Sequence, residues 1–366
     1  MGYTQRTASF TEIMEKMNFS ETKNHQEFEN DFLSIVVHGK KSTTYKFAFA
    51  KFLLEYCKQD RVEEHVEFST IAKYFLEFFW PQVCKTKLNH APRYTKKGGI
   101  KVPDIITIIG NEFSESWYPK NYTYYERQER TKIQNCVDAI SEKCFNDVVW
   151  RFQKIASIEP ENPLFFKYQV VSGWSDANRK DTDLTFGIYL NPEFIKFVQE
   201  KHVLLNAVVV LEWARFLEKY NRDVPLIIPK LEGSEIKRDT AYSNKAKHEL
   251  TEAGYNRCFY CKIKFSNSTK VHLEHVIPFD YISEDNIWNY SLACQSCNCH
   301  KSGFLPPEEF IDQLIENITK DKERIPMLKD SVNMIGDNYP EIIKNHYNSA
   351  KRLGYAIKHM PPNKLN

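Results

Sequence analysis

The chain has 366 residues, 42% of them hydrophobic and 27% charged, which is an ordinary composition for a globular protein long enough to form two domains. Its formal net charge of +2 excludes a uniformly basic nucleic-acid coat protein, so any nucleic-acid surface must come from local clusters of Lys and Arg. The longest strongly apolar run, 203–211, is far too short to span a bilayer.

The first half of the chain is predicted to be mainly helical. Residues 1–40 are polar, with one short helix predicted at 11–17. Apolar and aromatic residues then recur at three- and four-residue steps over 45–56 and again from Ser69 until Pro81, which predicts two amphipathic helices. Similar spacing over 117–148 predicts a buried helix pair.

A basic segment at 85–101 contains six Lys or Arg residues and no acidic residue. Its proline and Gly98-Gly99 predict a loop. Such a loop is either a solvated surface or a site that contacts nucleic-acid phosphates. The candidate DNA contacts are Lys85, Lys87, Arg93, Lys96 and Lys97.

Two short segments rich in β-branched and aromatic residues lie between 164 and 190 and predict a pair of strands, with an exposed loop at 176–183. Asn191-Pro192 then predicts the start of a long helix that continues to about Tyr220. Prolines and a polar, charge-rich stretch follow. We therefore predict a mainly helical N-terminal domain at 1–228, for target recognition or regulation, and a second domain at 229–366 with its core at 255–305.

Two C-x-x-C pairs, separated by thirty-two residues, frame the core of the second domain. Tetrahedral zinc takes two thiolates from each of two tight turns, so this spacing predicts a structural zinc site. Its ligands are Cys258, Cys261, Cys294 and Cys297. Nine cysteines, four of them in zinc-type pairs, and the lack of a signal-peptide pattern in MGYTQRTASF predict a cytoplasmic protein.

Polar residues within this frame and directly after it offer the groups that hydrolysis of a phosphodiester would need. A neutral imidazole such as His275 suits proton removal from water near neutral pH. Glu274 and Asn298 offer the oxygen atoms that a catalytic Mg²⁺ or Mn²⁺ prefers. Asn289 is expected to hydrogen-bond either the His275 side chain or the loop backbone. The order strand (270–276), loop, strand (from Asn289), helix (295–303) brings base and ligand together.

These residues resemble the HNH endonucleases of the ββα-metal class, in the subgroup with four zinc-binding cysteines. The matching stretches are C-F-Y-C at 258–261, E-H-V-I-P at 274–278, N-Y-S-L-A-C-Q-S-C-N at 289–298 and Lys301-Ser302. The resemblance implies that His275 is the general base, that Glu274 and Asn298 bind the metal, and that Asn289 positions the base. The family usually has Asp where this chain has Glu274, which puts metal preference and rate in question.

The resemblance implies a metal-dependent DNA endonuclease. The wider run from the Trp213 helix to 305–306 is also similar to bacterial HNH proteins associated with restriction or phage defence. A catalytically inactive zinc-dependent DNA- or protein-binding module and an RNA-targeting toxin nuclease are the alternatives. A homodimer or a defence-system partner subunit is compatible with the sequence, and a membrane partner is not expected.

The fold class expected from these elements is α+β and mostly α. A helical N-terminal domain precedes a zinc-stapled ββα module with a helical C-terminal extension. His300 and Lys301, predicted at the start of the helix, are candidate phosphate contacts. The tail at 342–366 has five Lys or Arg residues and no acid, and it either folds back on the zinc module or contacts DNA.

Overall fold

The computed structural model describes residues 23–361 apart from 42, 91–92, 95–99, 114–120, 146, 156–157, 159–162, 169–186 and 234–237. The predicted helix at 11–17, the predicted loop at 176–183, Lys96 and Lys97 all lie outside the described residues, as does the side chain of Arg93. The chain divides into two compact units. The first contains Met1–Lys85, Asn89–Tyr220 and Leu231–Gly233, and the second contains Thr86–Leu88, Asn221–Lys230 and Ser234–Asn366.

The first unit is mainly helical. Its helices are α1 (His25–Leu33), α2 (Tyr45–Cys57), α3 (Phe68–Trp80), α4 (Asp104–Phe113), α5 (Tyr122–Gln128), α6 (Arg130–Lys143), α7 (Val148–Phe152) and α8 (Pro192–Glu218). Single π-helical turns, Ser34–His38 and Pro81–Lys85, follow α1 and α3. Its strands are β1 (His65–Glu67), β2 (Arg93–Tyr94), β3 (Ile100–Lys101), β4 (Phe166–Tyr168) and β5 (Gly187–Leu190).

Helix α8 confirms the prediction made from Asn191-Pro192. The Asn191 side chain accepts a hydrogen bond from the Glu193 amide at 3.0 Å, and proline occupies the first helical position. The buried face of α8 packs against α2, where the ring of Trp213 stacks on Phe47 with centroids 6.3 Å apart. Aromatic residues of this unit therefore form its core, as their helical spacing predicted.

The predicted strand pair, β4 and β5, is antiparallel and is extended by β1 into a sheet of order β1-β5-β4. Gly187 stands opposite Glu67 in this sheet. A Cβ at Gly187 would lie 1.9 Å from the Val66 carbonyl oxygen, so only glycine permits this close approach of β1 and β5.

Four residues of the basic segment form strands. Strands β2 and β3 pair antiparallel with Arg93 opposite Lys101, which corrects the loop prediction for these residues. Lys85 hydrogen-bonds the Asn121 side-chain oxygen. Lys87, in the second unit, donates to the Gly354 carbonyl at 2.8 Å. Both ammonium groups therefore have partners within the protein.

The second unit contains the zinc-type cysteines. Its elements, with α9 shared between the units, are α9 (Ile227–Glu232), α10 (Thr240–Glu252), β6 (Val271–His275), α11 (Phe279–Ile282), a 3₁₀ turn (Ile287–Asn289), β7 (Tyr290–Cys294), α12 (Gln295–Lys301), α13 (Glu309–Asp321), α14 (Pro326–Ile335) and α15 (Tyr339–Arg352). The α+β, mostly α fold class is confirmed. No helix among the described residues has the length and apolar character of a membrane span.

A β-β-α arrangement forms the centre of this unit. Strands β6 and β7 pair antiparallel, with Glu274 opposite Ser291 and His275 opposite Tyr290, and α12 packs against both strands. The chain after α15 returns to the segment that follows α12. Leu305 donates to the Ala356 carbonyl at 3.0 Å and accepts from the Lys358 amide at 2.9 Å, so the tail folds back on the module.

Candidate active site and metal centre

The two cysteine pairs meet at one end of the β6–β7 hairpin. Cys258 and Cys261 lie in a tight turn, closed by a 2.9 Å hydrogen bond from the Cys258 amide to the Ile263 carbonyl. Lys262 adopts a left-handed conformation with φ of 60° at this turn. Cys294 ends β7 and caps α12, and Cys297 lies in the first turn of that helix.

The four sulfur atoms lie within 4.8 Å of one another, and the Sγ atoms of Cys261 and Cys294 are 3.9 Å apart. Zinc–sulfur bonds of about 2.3 Å in a tetrahedron place the sulfur atoms roughly 3.8 Å apart. The predicted cysteines therefore fit a structural zinc site. Cys299 is exposed and does not belong to this cluster.

Asn289 closes the loop between β6 and β7. Its side-chain oxygen accepts from the Ile277 amide and its amide nitrogen donates to the Ile277 carbonyl, both at 2.8 Å. The Asn289 carbonyl also accepts from the Val276 amide at 2.9 Å. Asn289 was expected to hydrogen-bond either the His275 side chain or the loop backbone. In the structure it binds the loop backbone. This clamp holds the end of β6, where His275 lies.

His275 is buried against aromatic rings. The ring centroids of Tyr290 and Phe279 lie 4.6 and 5.0 Å from that of His275. His275 Nε2 is 3.1 Å from Asp285 Oδ1. In the described part of the chain, Nδ1 has no hydrogen-bond partner and is not completely buried. An imidazole held this way donates through Nε2 and presents a lone pair on Nδ1.

Asp285 is a site residue that the sequence did not reveal. Its carboxylate also accepts a short hydrogen bond from the Tyr290 hydroxyl and one of 2.5 Å from the Asp239 amide. The Tyr290 hydroxyl is 3.0 Å from the Ser243 hydroxyl. The start of α10 and the first residue of β7 thus hold Asp285 against His275. Asp285 stands in S-E-D-N at 283–286, where neither spacing nor periodicity distinguishes one acid from the other.

The surroundings of His275 favour its neutral form. Burial, followed by the positive charge of Arg238, lowers the pKa of His275 to about 4, although the charge of Asp285 acts in the opposite direction. Arg238 is exposed, and its guanidinium lies over the Phe279 ring at 4.9 Å from the centroid. Arg238 was not predicted from the sequence, since it lies outside the motif in the charge-rich stretch before α10.

Glu274 is paired with a buried cation. The Lys301 ammonium donates to Glu274 Oε1 at 2.7 Å and to the His275 carbonyl at 2.8 Å. Burial lowers the pKa of Lys301 and raises the pKa of Glu274, and the attraction between the two charges opposes both shifts. Lys301 is 0% exposed. It therefore does not present its ammonium to a phosphate in this structure, which corrects its assignment as a phosphate contact.

His300 also differs from its predicted position. His300 and Lys301 lie in the last turn of α12 and not at its start, because the helix begins directly after β7 and ends at Lys301. His300 Nε2 lies 2.9 Å from the His359 carbonyl. The favourable field of a helix N-terminus is therefore not available to a phosphate at these residues.

Asn298 lies one turn before Lys301 on α12. Its Nδ2 is 3.4 Å from His272 Nδ1, and His272 Nε2 is buried without a partner among the described residues. The carboxylate of Glu274 and the amide oxygen of Asn298 are hard donors of the kind that Mg²⁺ and Mn²⁺ prefer. The Lys301 ammonium already pairs with that carboxylate, so a metal ion there would have to share it with Lys301.

Comparison with protein families supports the class of this module. Residues 258–304 match the family model described as HNH endonuclease. The segment is therefore an HNH domain with a possible four-cysteine zinc site, and the match indicates a metal-binding nuclease. Neither the curated proteins nor the solved structures that were compared gave a match to the chain.

Proposed function

We propose that the protein is a metal-dependent endonuclease that hydrolyses phosphodiester bonds of DNA. The observation that carries this proposal is the His275–Asp285 pair inside the HNH domain, with Nδ1 of the imidazole free of a hydrogen-bond partner among the described residues. A base oriented by a buried carboxylate is the arrangement that proton removal from water requires.

His275 is the general base in this proposal. Its Nδ1 takes a proton from a water molecule, and the water oxygen attacks the phosphorus as the bond to the leaving alkoxide breaks. Asp285 is a positioning residue, because it holds Nε2–H and so keeps the lone pair on Nδ1. The low pKa of His275, about 4, keeps the ring neutral and ready to accept a proton at neutral pH.

The developing negative charge needs positive partners. A divalent Mg²⁺ or Mn²⁺ ion held by Glu274 and Asn298 would supply such charge at the leaving oxygen. Arg238 is exposed and close enough to act electrostatically on both His275 and Glu274. We assign to Arg238 the phosphate contact that the sequence had suggested for Lys301 and His300.

The proposed biological role is restriction or anti-phage defence, with the first unit selecting the target or controlling the nuclease. A cut across a palindrome would need two copies of the domain related by a two-fold axis. The proposed DNA contacts in the basic segment are Lys85, Lys87, Arg93, Lys96 and Lys97.

Plasmid cleavage tests the proposal. The zinc-loaded full chain is incubated with supercoiled DNA in Mg²⁺, in Mn²⁺ or with a chelator of weakly held ions, beside His275→Ala of equal zinc content. We expect nicked or linear DNA only from the wild type with a divalent ion. A structured RNA in a parallel reaction tests the alternative substrate, and cleavage of RNA alone would replace DNA in the proposal. Equal cleavage of DNA by the wild type and by His275→Ala would reject the proposal.

One observation favours a second candidate, an inactive zinc-dependent DNA- or protein-binding module. The Lys301 ammonium already neutralises Glu274, and a carboxylate that is satisfied by an internal cation does not require a metal. Salt-sensitive DNA binding without cleavage in any divalent ion would favour this candidate.

A further inference from the structure

A small cavity in the first unit, at the start of α2, is strongly basic. Its volume is about 70 Å³. Four cationic side chains and one carboxylate line it: Lys40, Lys41, Lys46, Arg151 and Asp147. We call it the α2 cavity. Its volume corresponds to roughly two water molecules, so it has room for one small ion or functional group and not for a nucleoside.

Positive charge exceeds negative charge in the lining of the α2 cavity, although Glu212, which is not part of the lining, also acts on Lys41. Asp147 is 3.5 Å from Arg151, and Lys41 donates to the Val37 carbonyl at 2.7 Å. Lys46 has neither a hydrogen bond nor an ion pair in the described part of the chain. Burial, followed by the charge of Lys41, lowers the pKa of Lys46 to about 8. A half-buried ammonium next to a second one raises the free energy of the protein unless an anion joins them.

The backbone at the start of α2 adds further donors. Thr44 is the N-cap but makes no capping hydrogen bond, and within the described residues the amides of Tyr45 and Lys46 have no acceptor. The hydroxyl of Thr44 is buried and also has no described partner. Uncapped amides at a helix start carry partial positive charge and bind anions. They coincide here with the lysines that line the cavity.

Gly39 provides the space for the Lys46 ammonium. A Cβ at residue 39 would lie 2.8 Å from Lys46 Nζ and 2.3 Å from the Ile35 carbonyl oxygen. The ammonium therefore lies directly against the backbone at Gly39. A larger residue at position 39 would occupy the space that the Lys46 ammonium uses.

We propose that the α2 cavity binds a phosphate group through Lys46, Arg151 and the first amides of α2. The phosphate is either one group of a nucleic-acid backbone or a free phosphate ion, since both offer the same tetrahedral oxyanion. The site lies in the first unit, and it does not depend on whether the HNH domain cleaves nucleic acid.

The test uses the full chain and inorganic phosphate. Phosphate at about ten times its Kd is expected to raise the Tm of the first unit by roughly 3–5 °C relative to chloride at equal ionic strength. The double variant Lys46→Gln/Arg151→Gln should lose this shift. The control Lys58→Gln/Lys196→Gln also removes two positive charges from the first unit, but from exposed pairs with Glu55 and Glu193, and should keep the shift.

A second measurement distinguishes the two sources of the phosphate. Binding of duplex DNA to the zinc-loaded chain is titrated against salt without added Mg²⁺ or Mn²⁺, where a divalent-dependent nuclease cannot cut. If the phosphate is one group of a nucleic-acid backbone, the double variant should reduce the salt slope by about one relative to wild type. The control should leave the slope unchanged. An unchanged slope with a lost thermal shift would assign free phosphate.

Equal behaviour of the double variant and the control in both measurements would overturn the proposal. Should the double variant fail to fold, Arg151→Gln alone replaces it, because Arg151 is exposed and its loss cannot leave a buried cavity. That single variant should still lose at least half of the thermal shift. A full shift in Arg151→Gln would likewise reject the site as described.

Discussion

The buried pair of Glu274 and Lys301 gives the sharpest prediction for stability. Lys301→Met keeps the length of the side chain and removes its charge, which leaves the Glu274 carboxylate buried without a cation. Removing one member of a buried ion pair costs about 3–5 kcal/mol. The side chains are only 1% and 10% exposed, so solvent cannot replace the lost partner. We expect Lys301→Met to lose stability in this range.

The double variant isolates the pair. Lys301 also donates to the His275 and Ser302 carbonyls, so part of the loss in Lys301→Met does not involve Glu274. Glu274→Gln/Lys301→Met removes both charges, and we expect it to be more stable than the sum of the single losses by roughly 1–3 kcal/mol. The assay is guanidinium unfolding of the zinc-loaded chain. The transition that disappears when zinc is removed reports on the module that contains the pair, and its midpoint is compared between variants.

Lys344 provides the matched control. Its ammonium is 2.8 Å from Asp312 on the same unit, almost the distance of the buried pair, but both side chains are about half exposed. Lys344→Met should leave the unfolding midpoint unchanged, because solvent screens an exposed pair. If Lys301→Met and Lys344→Met shifted the midpoint equally, burial would not be the reason that the Glu274–Lys301 pair matters.

Three further predictions concern the metal site and the proposed chemistry. Removing zinc with a strong chelator should unfold the β6–β7–α12 module, since a closed structural site supplies folding free energy; unchanged circular dichroism would count against the four-cysteine site. Asp285→Asn should lower kcat about 10- to 100-fold with little change in KM and zinc content, because it loosens the imidazole without touching substrate; full activity would remove Asp285 from the mechanism. Arg238→Gln should weaken DNA binding and reduce its salt slope by about one, and an unchanged slope would remove Arg238 as a phosphate contact.

The parts of the site that could be predicted from the sequence are local. Each cysteine pair lies in one turn, and the spacing of two such pairs is sufficient to predict a four-thiol site. The β-β-α order followed from short segments with clear patterns, and α8 followed from its Asn-Pro start. These features depend on residues that are close in the sequence.

The parts that could not be predicted depend on packing between distant segments. A lysine at the end of a short helix usually lies in solvent, and Lys301 is buried because α12 packs on β6 and β7. Asp285 reaches His275 because Asn289 closes the loop and the Asp239 amide binds the carboxylate. Strand β1 has three residues and β2 only two, too few for a period of two to be recognised.

The most direct test of the central claim is single-turnover cleavage of a labelled DNA duplex by the zinc-loaded protein in Mg²⁺ or Mn²⁺. His275→Ala, with the same zinc content and the same affinity for the duplex measured without added Mg²⁺ or Mn²⁺, is compared with wild type. The loss of a general base should slow the chemical step by about 10²- to 10⁴-fold. Equal single-turnover rates would contradict the assignment of His275 as the base and, with it, the proposed mechanism.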